Sequence, residues 1–430
     1  MNDADDRQAA SANQEDPSGV DLGAMLIEKA LALVADKGLD QFSMREVAAS
    51  IDRSTTVIFQ HFGNKDGLLA AMMETAFERD ALFHARLLEE LSGLEPNIAT
   101  LTEIVAYYVE VRVTYDDAAI RIWPELLLNG GHEGAWAPLL IRWRGMREDF
   151  WRALLPKGLA GMLTPLLSDY TLMEGVYAIV LQDRLDYRLL LRETVSLLVG
   201  RAFRANNPNP VGNVQAWLAD TAPPPPPRSS SHAGTSRLRL LDVAATEIFA
   251  HGVKALNHRR LTAKAGMSTA MISYHFGGME QFVVEAVWHA LLTDLPAYLD
   301  DSVVNVAARQ TADQWSGVLS QALGSGESRH GTGFYVSYSR IVGQTCLLAR
   351  QRPDLTPLVR HLRMIEGSGT HHASQASWPL SLSLDRLTST AFAIWIKGWA
   401  MTAEATGEDK LTSERLDVVR QWIGQPTAAD

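Results

Sequence analysis

The sequence predicts an all-α protein built from two similar units in tandem. Two stretches, beginning at Ile27 and at Leu241, align without a gap at a shift of 214 residues. Apolar residues recur at helical spacing through most of the chain, and the alternation typical of β-strands is not evident. The proline-rich segment between the two stretches predicts a semi-rigid spacer. A repeat of this length indicates two folding units joined by a linker.

The composition is that of a soluble globular protein, with 430 residues of which 47% are hydrophobic and 21% charged. This length exceeds one ordinary core and supports at least two domains. No apolar run is long enough to span a membrane, and the acidic, polar first residues lack a secretory signal, so we expect a cytoplasmic protein. The single cysteine, Cys346, provides neither an intramolecular disulfide nor a structural zinc site, and we expect no cofactor or metal.

Each stretch carries the signature of two short helices joined by a tight turn. In the first, Gly38 ends a helix, and Ser43 with Glu46 forms a capping box for the next, which runs to about Ala49. Ser54 then offers an N-cap for a short helix from 55 to 60. This spacing predicts a helix-turn-helix.

The second stretch repeats the same signals with different residues. Asn257 takes the place of the first cap and Ser268 that of the second, and Gly266 provides the turn. Longer helices are predicted after each motif, at 65–77, 101–113, 120–128, 170–181 and 189–203, and at 280–289, 312–323, 336–349 and 384–401. A fainter echo pairs Arg121, Ile122 and Glu125 with Arg340, Ile341 and Gln344, and Ala178-Ile179 with Ala393-Ile394, so the repeat extends over each half.

The two motifs resemble the DNA-binding motif of the TetR family of regulators over about sixty residues in each half. The residues that carry the resemblance are Ser43-Met44-Arg45-Glu46-Val47-Ala48, Phe59-Gln60-His61-Phe62 and Lys65-Asp66-Gly67-Leu68 in the first half, and Ala265-Gly266-Met267-Ser268 and Ser273-Tyr274-His275-Phe276 in the second. The first motif departs from the family at Asp52, where glycine is preferred, and the second at Met279, which stands where the first has Lys65.

The resemblance implies two tandem TetR-like units, each a three-helix helix-turn-helix domain followed by a helical-bundle effector domain. The predicted division is a disordered acidic tail at 1–20, a DNA-binding domain at 21–80, an effector and dimerisation domain at 81–220, a linker at 221–236, a second DNA-binding domain at 237–297 and a second effector domain at 298–430. The family binds DNA as a dimer, usually represses transcription and releases DNA on binding a small ligand. A fused chain would supply both motifs itself, as a monomeric pseudo-dimer.

The second helix of each motif is expected to enter the major groove of double-stranded DNA. The residues predicted to contact bases or phosphates are Ser43, Arg45, Ser54, Thr55, Thr56, Val57, Gln60, His61 and Lys65 in the first half, and Asn257, Arg259, Arg260, Ser268, Thr269, Ala270, Met271, Ser273, Tyr274 and His275 in the second. His61 and His275 are equally compatible with a structural role.

The net charge of −11 disfavours nucleic acid as a partner of the whole surface, so the charge of the motifs themselves matters more. The charged residues between positions 42 and 62 sum to zero, whereas those between 256 and 276 sum to +3. We therefore expect unequal motifs and an asymmetric, pseudo-palindromic operator whose half-sites lie about one helical turn apart, ~34–36 Å.

A ligand pocket for an unknown small apolar or aromatic effector is predicted from aromatic residues of the effector domains, namely Trp123, Trp143, Tyr177, Trp395 and Trp399. Any one of them is more often part of an ordinary core. The adjacent pair His371-His372 lacks further ligands at useful spacing and is interpreted as solvated loop residues, and Cys346 as a core residue.

The sequence thus predicts a DNA-binding transcriptional regulator, a ligand-responsive repressor acting as an intramolecular pseudo-dimer. The alternative is a helical interaction or sensor protein in which one or both motifs no longer bind DNA. Enzymatic activity is not expected, because nucleophile-elbow, zinc-protease and dinucleotide-binding motifs are not found in the sequence.

Overall fold

The computed structural model describes residues 21–115, 117–129, 136–204, 213–217, 232–293, 309–323, 333–407 and 413–424. Within these residues the regular structure is helical and contains no β-strand, which confirms the predicted all-α class. The predicted tail at 1–20 and most of the predicted linker lie outside the described residues. The division of the chain into domains at the predicted boundaries stays a prediction.

The first half begins with a helix-turn-helix unit and continues as a bundle of longer helices. Its motif comprises α1 (Leu22–Lys37), α2 (Met44–Ala49), α3 (Thr56–Phe62) and α4 (Lys65–Glu90), with a 3₁₀ turn at Leu39–Gln41 between α1 and α2. The following helices are α5 (Ile98–Thr114), α6 (Ala118–Arg121), α7 (Trp123–Asn129), α8 (Ala137–Leu154), α9 (Lys157–Leu181), α10 (Leu185–Ala202) and α11 (Asn213–Trp217).

The second half repeats this order. Its motif comprises α12 (His232–His251), α13 (His258–Lys264), α14 (Ala270–Phe276) and α15 (Met279–Thr293), with a 3₁₀ turn at Val253–Ala255. The following helices are α16 (Ala312–Leu323), α17 (Phe334–Gln351), α18 (Thr356–Ile365), α19 (Ser368–Ala376), α20 (Arg386–Thr406) and α21 (Ser413–Ile423). Two further 3₁₀ turns precede α18 and α20.

The caps of the first motif differ in part from the prediction. Ser43 accepts a hydrogen bond from the backbone N–H of Glu46 at 3.4 Å, but the Glu46 carboxylate bonds Lys37 at 2.7 Å, so only one arm of the capping box forms. The predicted cap at Ser54 is wrong, because α3 begins one residue later with Thr55 at the N-cap. In the second motif the cap at Asn257 is confirmed, since its side chain accepts from two backbone N–H groups. The predicted cap at Ser268 is wrong, because α14 has Thr269 at its N-cap.

The helix predicted over 120–128 is broken into α6 and α7. Pro124 has no N–H to donate to the carbonyl of Ile120, four residues earlier. That carbonyl accepts instead from Nη2 of Arg112, at 2.9 Å. The carbonyl freed by the break therefore forms a hydrogen bond that links α5 to α6.

The two halves pack against each other through their last long helices. The most extensive contact is that of α9 with α20, and α10 also contacts α20 and α21. At Gly398 of α20 the backbone passes so close to the carbonyl oxygen of Asp169 in α9 that a Cβ atom would clash with it. The sequence echo of Ala178-Ile179 and Ala393-Ile394 falls in these two helices. The halves thus share one continuous apolar core.

Other predictions concern single residues. His371 and His372 lie in α19, and not in a loop as predicted, with the Nδ1 atom of His371 2.8 Å from the carbonyl oxygen of Leu384. Cys346 is confirmed as a buried core residue. Among the described residues no helix is long and apolar enough to cross a membrane, and no cluster of His, Cys, Asp or Glu in them is arranged to hold a metal ion.

Candidate nucleic-acid interface

The short helix α3 presents one exposed face on the first motif. Thr56, Phe59 and Gln60 are exposed, and the Phe59 ring keeps 50% of its surface accessible. Val57 was predicted to face DNA, but its side chain is 8% exposed and packs into the core beside Ile58. In a helix the residues at i, i+3 and i+4 share a face, so Thr56, Phe59 and Gln60 belong together and Val57 does not.

The corresponding helix of the second motif, α14, has the same organisation with different side chains. Ala270, Ser273 and Tyr274 are exposed, and Tyr274 keeps 74% of its surface accessible. Ile272 is buried and Met271 is half-buried. Gln60 and Tyr274 stand at equivalent positions of the repeat, so the two exposed faces differ in chemistry at their centre.

All the predicted contact residues fall into three groups by exposure. The exposed ones are Arg45, Ser54, Thr56, Gln60, His61, Lys65, Asn257, Arg259, Arg260, Ser268, Thr269, Ala270, Ser273 and Tyr274; the half-buried ones are Ser43, Thr55, Met271 and His275; and Val57 is buried. The side-chain oxygens of Ser43 and Asn257 already accept backbone hydrogen bonds as helix caps, which favours positioning over base contact for both.

The positive charge of the second motif is partly used within the protein. Arg260 lies 2.8 Å from Glu247 of α12, and Lys264 pairs with the same carboxylate. Burial alone would raise the pKa of Glu247, but the hydrogen bond from Lys264 and the charge of Arg260 lower it. Counting Glu247, the excess of +3 predicted for this motif becomes +2, with Arg259 exposed.

Sequence reasoning missed two residues of this surface. Phe59 lies at helical spacing from Thr55 and Thr56, so it shares their face of α3 and could have been predicted. It was missed because the prediction listed consecutive residues of α3 instead of the residues of one face. Arg239 of α12 is exposed and lies beside the turn glycine Gly266. The sequence did not indicate Arg239, because its position beside Gly266 depends on how α12 packs against the rest of the motif.

The turns within the two motifs share a backbone conformation. Asp52 and Gly266 occupy equivalent positions, and both are left-handed, with φ of 55° and 67°. The tolerance of aspartate for this conformation explains how the first motif keeps its turn without the glycine.

The two motifs also meet each other. The 3₁₀ turns Leu39–Gln41 and Val253–Ala255 stand at equivalent positions, and Asp40 of the first pairs with Lys254 of the second at 2.8 Å. Gln351, the last residue of α17 in the second half, donates to the backbone carbonyl of Lys37 at 2.7 Å. The relative position of the two motifs is therefore held by contacts between the halves.

Each 3₁₀ turn is tied to the helices behind it by one backbone hydrogen bond. The N–H of Leu39 donates to Oε2 of Glu125 in α7 at 3.3 Å, and the N–H of Val253 donates to Oε1 of Gln344 in α17 at 3.4 Å. Glu125 is fully buried and also accepts from Arg350 of α17 at 3.0 Å. A charged acceptor thus supports the turn of the first motif, and a neutral one supports that of the second.

A cavity of about 80 Å³ lies behind the first motif, between α5, α6, α7, α8 and α9. Trp123 lines it, as predicted for a ligand pocket. Trp143, also predicted for the pocket, does not line the cavity; its ring is tilted by 46° against Trp123, with 4.8 Å between ring centroids, and its N–H donates to Asp80. The other predicted pocket residues, Tyr177, Trp395 and Trp399, do not line this cavity; they are buried in α9 and α20, where the halves meet.

One buried carboxylate anchors this cavity to the DNA-binding motif. Asp80 of α4, the helix that leads out of the motif, accepts from Arg112 of α5 and from Nη2 of Arg147 in α8 at 2.8 Å. Although burial alone would raise it, the two guanidinium charges hold the pKa of Asp80 below its usual range. Beside it, His84 contacts the Tyr108 hydroxyl at 2.9 Å, and burial lowers the His84 pKa to about 4.

A comparison with protein-family models finds the same motif twice. The model described as bacterial regulatory proteins, tetR family, matches residues 26–72 and again residues 240–286. No curated protein matches the chain. Both matched segments end in the helices α4 and α15 and include α3 and α14, which carry the exposed faces described above.

Proposed function

Because the chain belongs to the tetR family of bacterial regulatory proteins, with two family-type N-terminal domains in tandem, we propose that it is a sequence-specific, ligand-responsive repressor. In this proposal the two motifs of one chain act as an intramolecular pseudo-dimer on double-stranded DNA. The exposed faces of α3 and α14 enter successive turns of the major groove.

The observation that carries the proposal is the pairing of the two halves inside one chain. The motifs touch through Asp40 and Lys254, and α9 packs closely on α20 behind them. Two helix-turn-helix motifs fixed relative to each other are what a two-half-site operator requires. A second copy of the chain is not needed to provide the second motif.

The proposed operator has two different half-sites. Gln60 offers an amide that can bond adenine in a bidentate manner, whereas Tyr274 offers a ring and one hydroxyl at the equivalent place. The second motif carries more positive charge than the first. Arg260 and Lys264 together exceed the charge of Glu247 by one, and Arg259 adds another positive charge. We therefore expect stronger phosphate contacts at its half-site.

Ligand response is proposed to act on the separation of the motifs. A ligand that binds more tightly to the arrangement unable to bind DNA would shift the population toward it. The cavity behind the first motif supports this mechanism, because its wall reaches α4 through Asp80 and the 3₁₀ turn through Glu125.

The test is a titration of the full chain with DNA from upstream of its own gene, by fluorescence anisotropy over a salt series, with light scattering and footprinting in parallel. We expect binding by a single chain that weakens steeply with salt, and a footprint of two unlike half-sites. A perfectly palindromic preferred site would contradict the asymmetric operator, and two chains per operator would contradict the intramolecular pseudo-dimer.

The pairing of Arg260 and Lys264 with Glu247 favours one alternative, in which the second motif serves for interaction and no longer binds DNA. In that case the footprint would cover one half-site only, and Tyr274→Ala would leave the affinity unchanged. Absence of any binding, both to the upstream DNA and to a randomised library, would reject the regulator in favour of a helical interaction protein.

A further inference from the structure

The cavity behind the first motif is rich in hydrogen-bond donors that lack acceptors. Three buried nitrogen atoms of its lining residues have no partner among the described residues: Nε1 of Trp151, Nε of Arg121 and Nε of Arg350. Trp151 is completely buried. Because an unpaired buried donor costs free energy, three of them around one cavity indicate a missing acceptor.

The charge of the cavity points in the same direction. Four arginines line it, Arg112, Arg121, Arg147 and Arg350, and no acidic side chain does. Two buried carboxylates stand behind them: Asp80 accepts from Arg112 and Arg147, and Glu125 from Arg350. Within the described part of the chain, the four arginines thus exceed these two carboxylates by two positive charges, and an anion in the cavity would compensate them.

The rest of the wall is apolar and aromatic. Trp123, Pro124, Ile120, Leu172 and Ile179 face the same space. The volume of about 80 Å³ lies well below the roughly 300–1,000 Å³ of pockets for drug-sized ligands and below the roughly 150 Å³ that encloses benzene, so even a one-ring ligand requires lining side chains to move. Aromatic walls with a few convergent donors suit one ring that carries one carboxylate.

We infer that this cavity binds one small aromatic carboxylate per chain, and that the carboxylate draws Arg350 away from Glu125. This inference rests on the proposed function, of which it names the ligand class. It differs from the apolar or aromatic effector expected from the sequence by requiring a negative charge. The site is shared between the halves, because Arg350 belongs to α17 of the second half and the other named residues to the first.

The position of Arg350 connects this binding to the motif. Glu125 accepts both from Arg350 and from the N–H of Leu39, and Gln351, the residue after Arg350, donates to the carbonyl of Lys37. A carboxylate that takes over Arg350 therefore acts directly on the contacts that hold the first 3₁₀ turn. The second half has Gln344 in place of Glu125 and lacks this charged link.

The experiment uses the full chain and three pairs of probes: benzoate, phenylacetate and cinnamate, each with its neutral amide, and inorganic phosphate as a further control. Calorimetry measures affinity and stoichiometry, and the total tryptophan fluorescence, to which Trp123 and Trp151 contribute, follows binding. We expect at least one acid to bind one per chain, about tenfold or more tighter than its amide. Phosphate should bind more weakly than that acid, because it leaves the apolar wall unfilled.

Variants separate the proposed site from a general effect of charge. Arg350→Gln and Trp151→Phe should each lower the affinity for the acid by about tenfold. Glu125→Gln should raise the affinity for the acid, because the substitution removes the competing carboxylate while keeping an acceptor for the N–H of Leu39. Arg352→Gln is the matched control: this arginine lies two residues beyond Arg350 but pairs with Asp354, and the affinity should not change.

Equal affinity for acids and amides, two acids per chain, or full affinity in both Arg350→Gln and Trp151→Phe would each overturn the inference. Failure of every acid to bind at millimolar concentration would overturn it as well. The proposed function is tested separately by the anisotropy titration without ligand. If DNA binding is absent and the acid still binds, the regulator is rejected and the carboxylate site stands.

Discussion

Asp40 and Lys254 occupy equivalent positions of the two repeats, and their side chains pair with each other at 2.8 Å. In a symmetric dimer of identical chains, a residue on the two-fold axis meets its own copy, so an aspartate would face an aspartate. In a fused chain positions 40 and 254 are separate residues, so they can carry opposite charges at this contact. The fused chain therefore holds an attractive pair where a symmetric dimer of identical chains would place two like charges.

Reversing one charge of this pair should destabilise the contact between the motifs. Asp40→Lys would place two lysines side by side, and we expect the free energy of unfolding to fall by up to about 1 kcal/mol, because both groups are partly exposed. The double variant Asp40→Lys with Lys254→Asp should recover most of the loss. Urea unfolding of both single variants and the double variant measures the coupling, which should fade in 1 M salt. A coupling of zero at low salt would show that the pair does not hold the motifs.

Truncating the exposed side chains of α3 and α14 should weaken DNA binding without loss of stability. Phe59→Ala and Tyr274→Ala each remove a large exposed group, and we expect about a tenfold loss of affinity for the operator. Val57→Ala, in the same helix as Phe59 but buried, should lower the free energy of unfolding by about 1 kcal/mol and leave the affinity of the folded protein nearly unchanged. The reverse pattern would mean that α3 presents a different face to DNA.

Gly398 should tolerate no side chain. A Cβ atom there would clash with the carbonyl oxygen of Asp169 in the facing helix, so we expect Gly398→Ala to cost about 3 kcal/mol or to prevent the halves from pairing. Gly145 of α8 has open space around it, and Gly145→Ala should be neutral or slightly stabilising. Thermal unfolding compares the two variants. Equal stability would indicate that α9 and α20 can separate at this point without cost.

Acid should destabilise the first half through His84. Burial lowers its pKa to about 4, while in the unfolded chain the value is ordinary, about 6.5. Between these two values the unfolded state takes up a proton that the folded state does not, so the free energy of unfolding falls as the pH drops. From pH 7 to 4.5 the expected loss is on the order of 2–3 kcal/mol. In His84→Gln, which keeps both hydrogen-bonding roles, urea unfolding over this range should show a distinctly smaller slope.

The helical class and the duplicated motif were predictable because they depend on local patterns. Caps such as Asn257, the left-handed turn at Asp52 and the apolar face of α1 need only neighbouring residues to be recognised. The misplaced contact at Val57 has a simple cause: the sequence located α3, but its rotation about its axis depends on which residues the core takes.

The cavity could not be predicted because it joins residues that are far apart in the chain. Trp123 and Trp395 are equally typical of an apolar core in the sequence, yet only the first lines the cavity. Arg350 reaches it from the other half, 225 residues away from its partner Glu125. Glu125 becomes buried, and the N–H of Trp151 is left without an acceptor, only when the six helices around the cavity have packed, five from the first half and one from the second.

The packing of α9 on α20 within one chain also has a consequence for how the protein responds to its own abundance. Two separate subunits find each other by collision, so at low copy number the paired form declines with the square of the concentration. Here the partner helix is covalently attached, and its effective concentration does not change when the cell divides or synthesis slows. If the chain binds its operator as the proposed intramolecular pseudo-dimer, operator occupancy should follow the first power of chain number, without exchange of subunits with related proteins in the same cell.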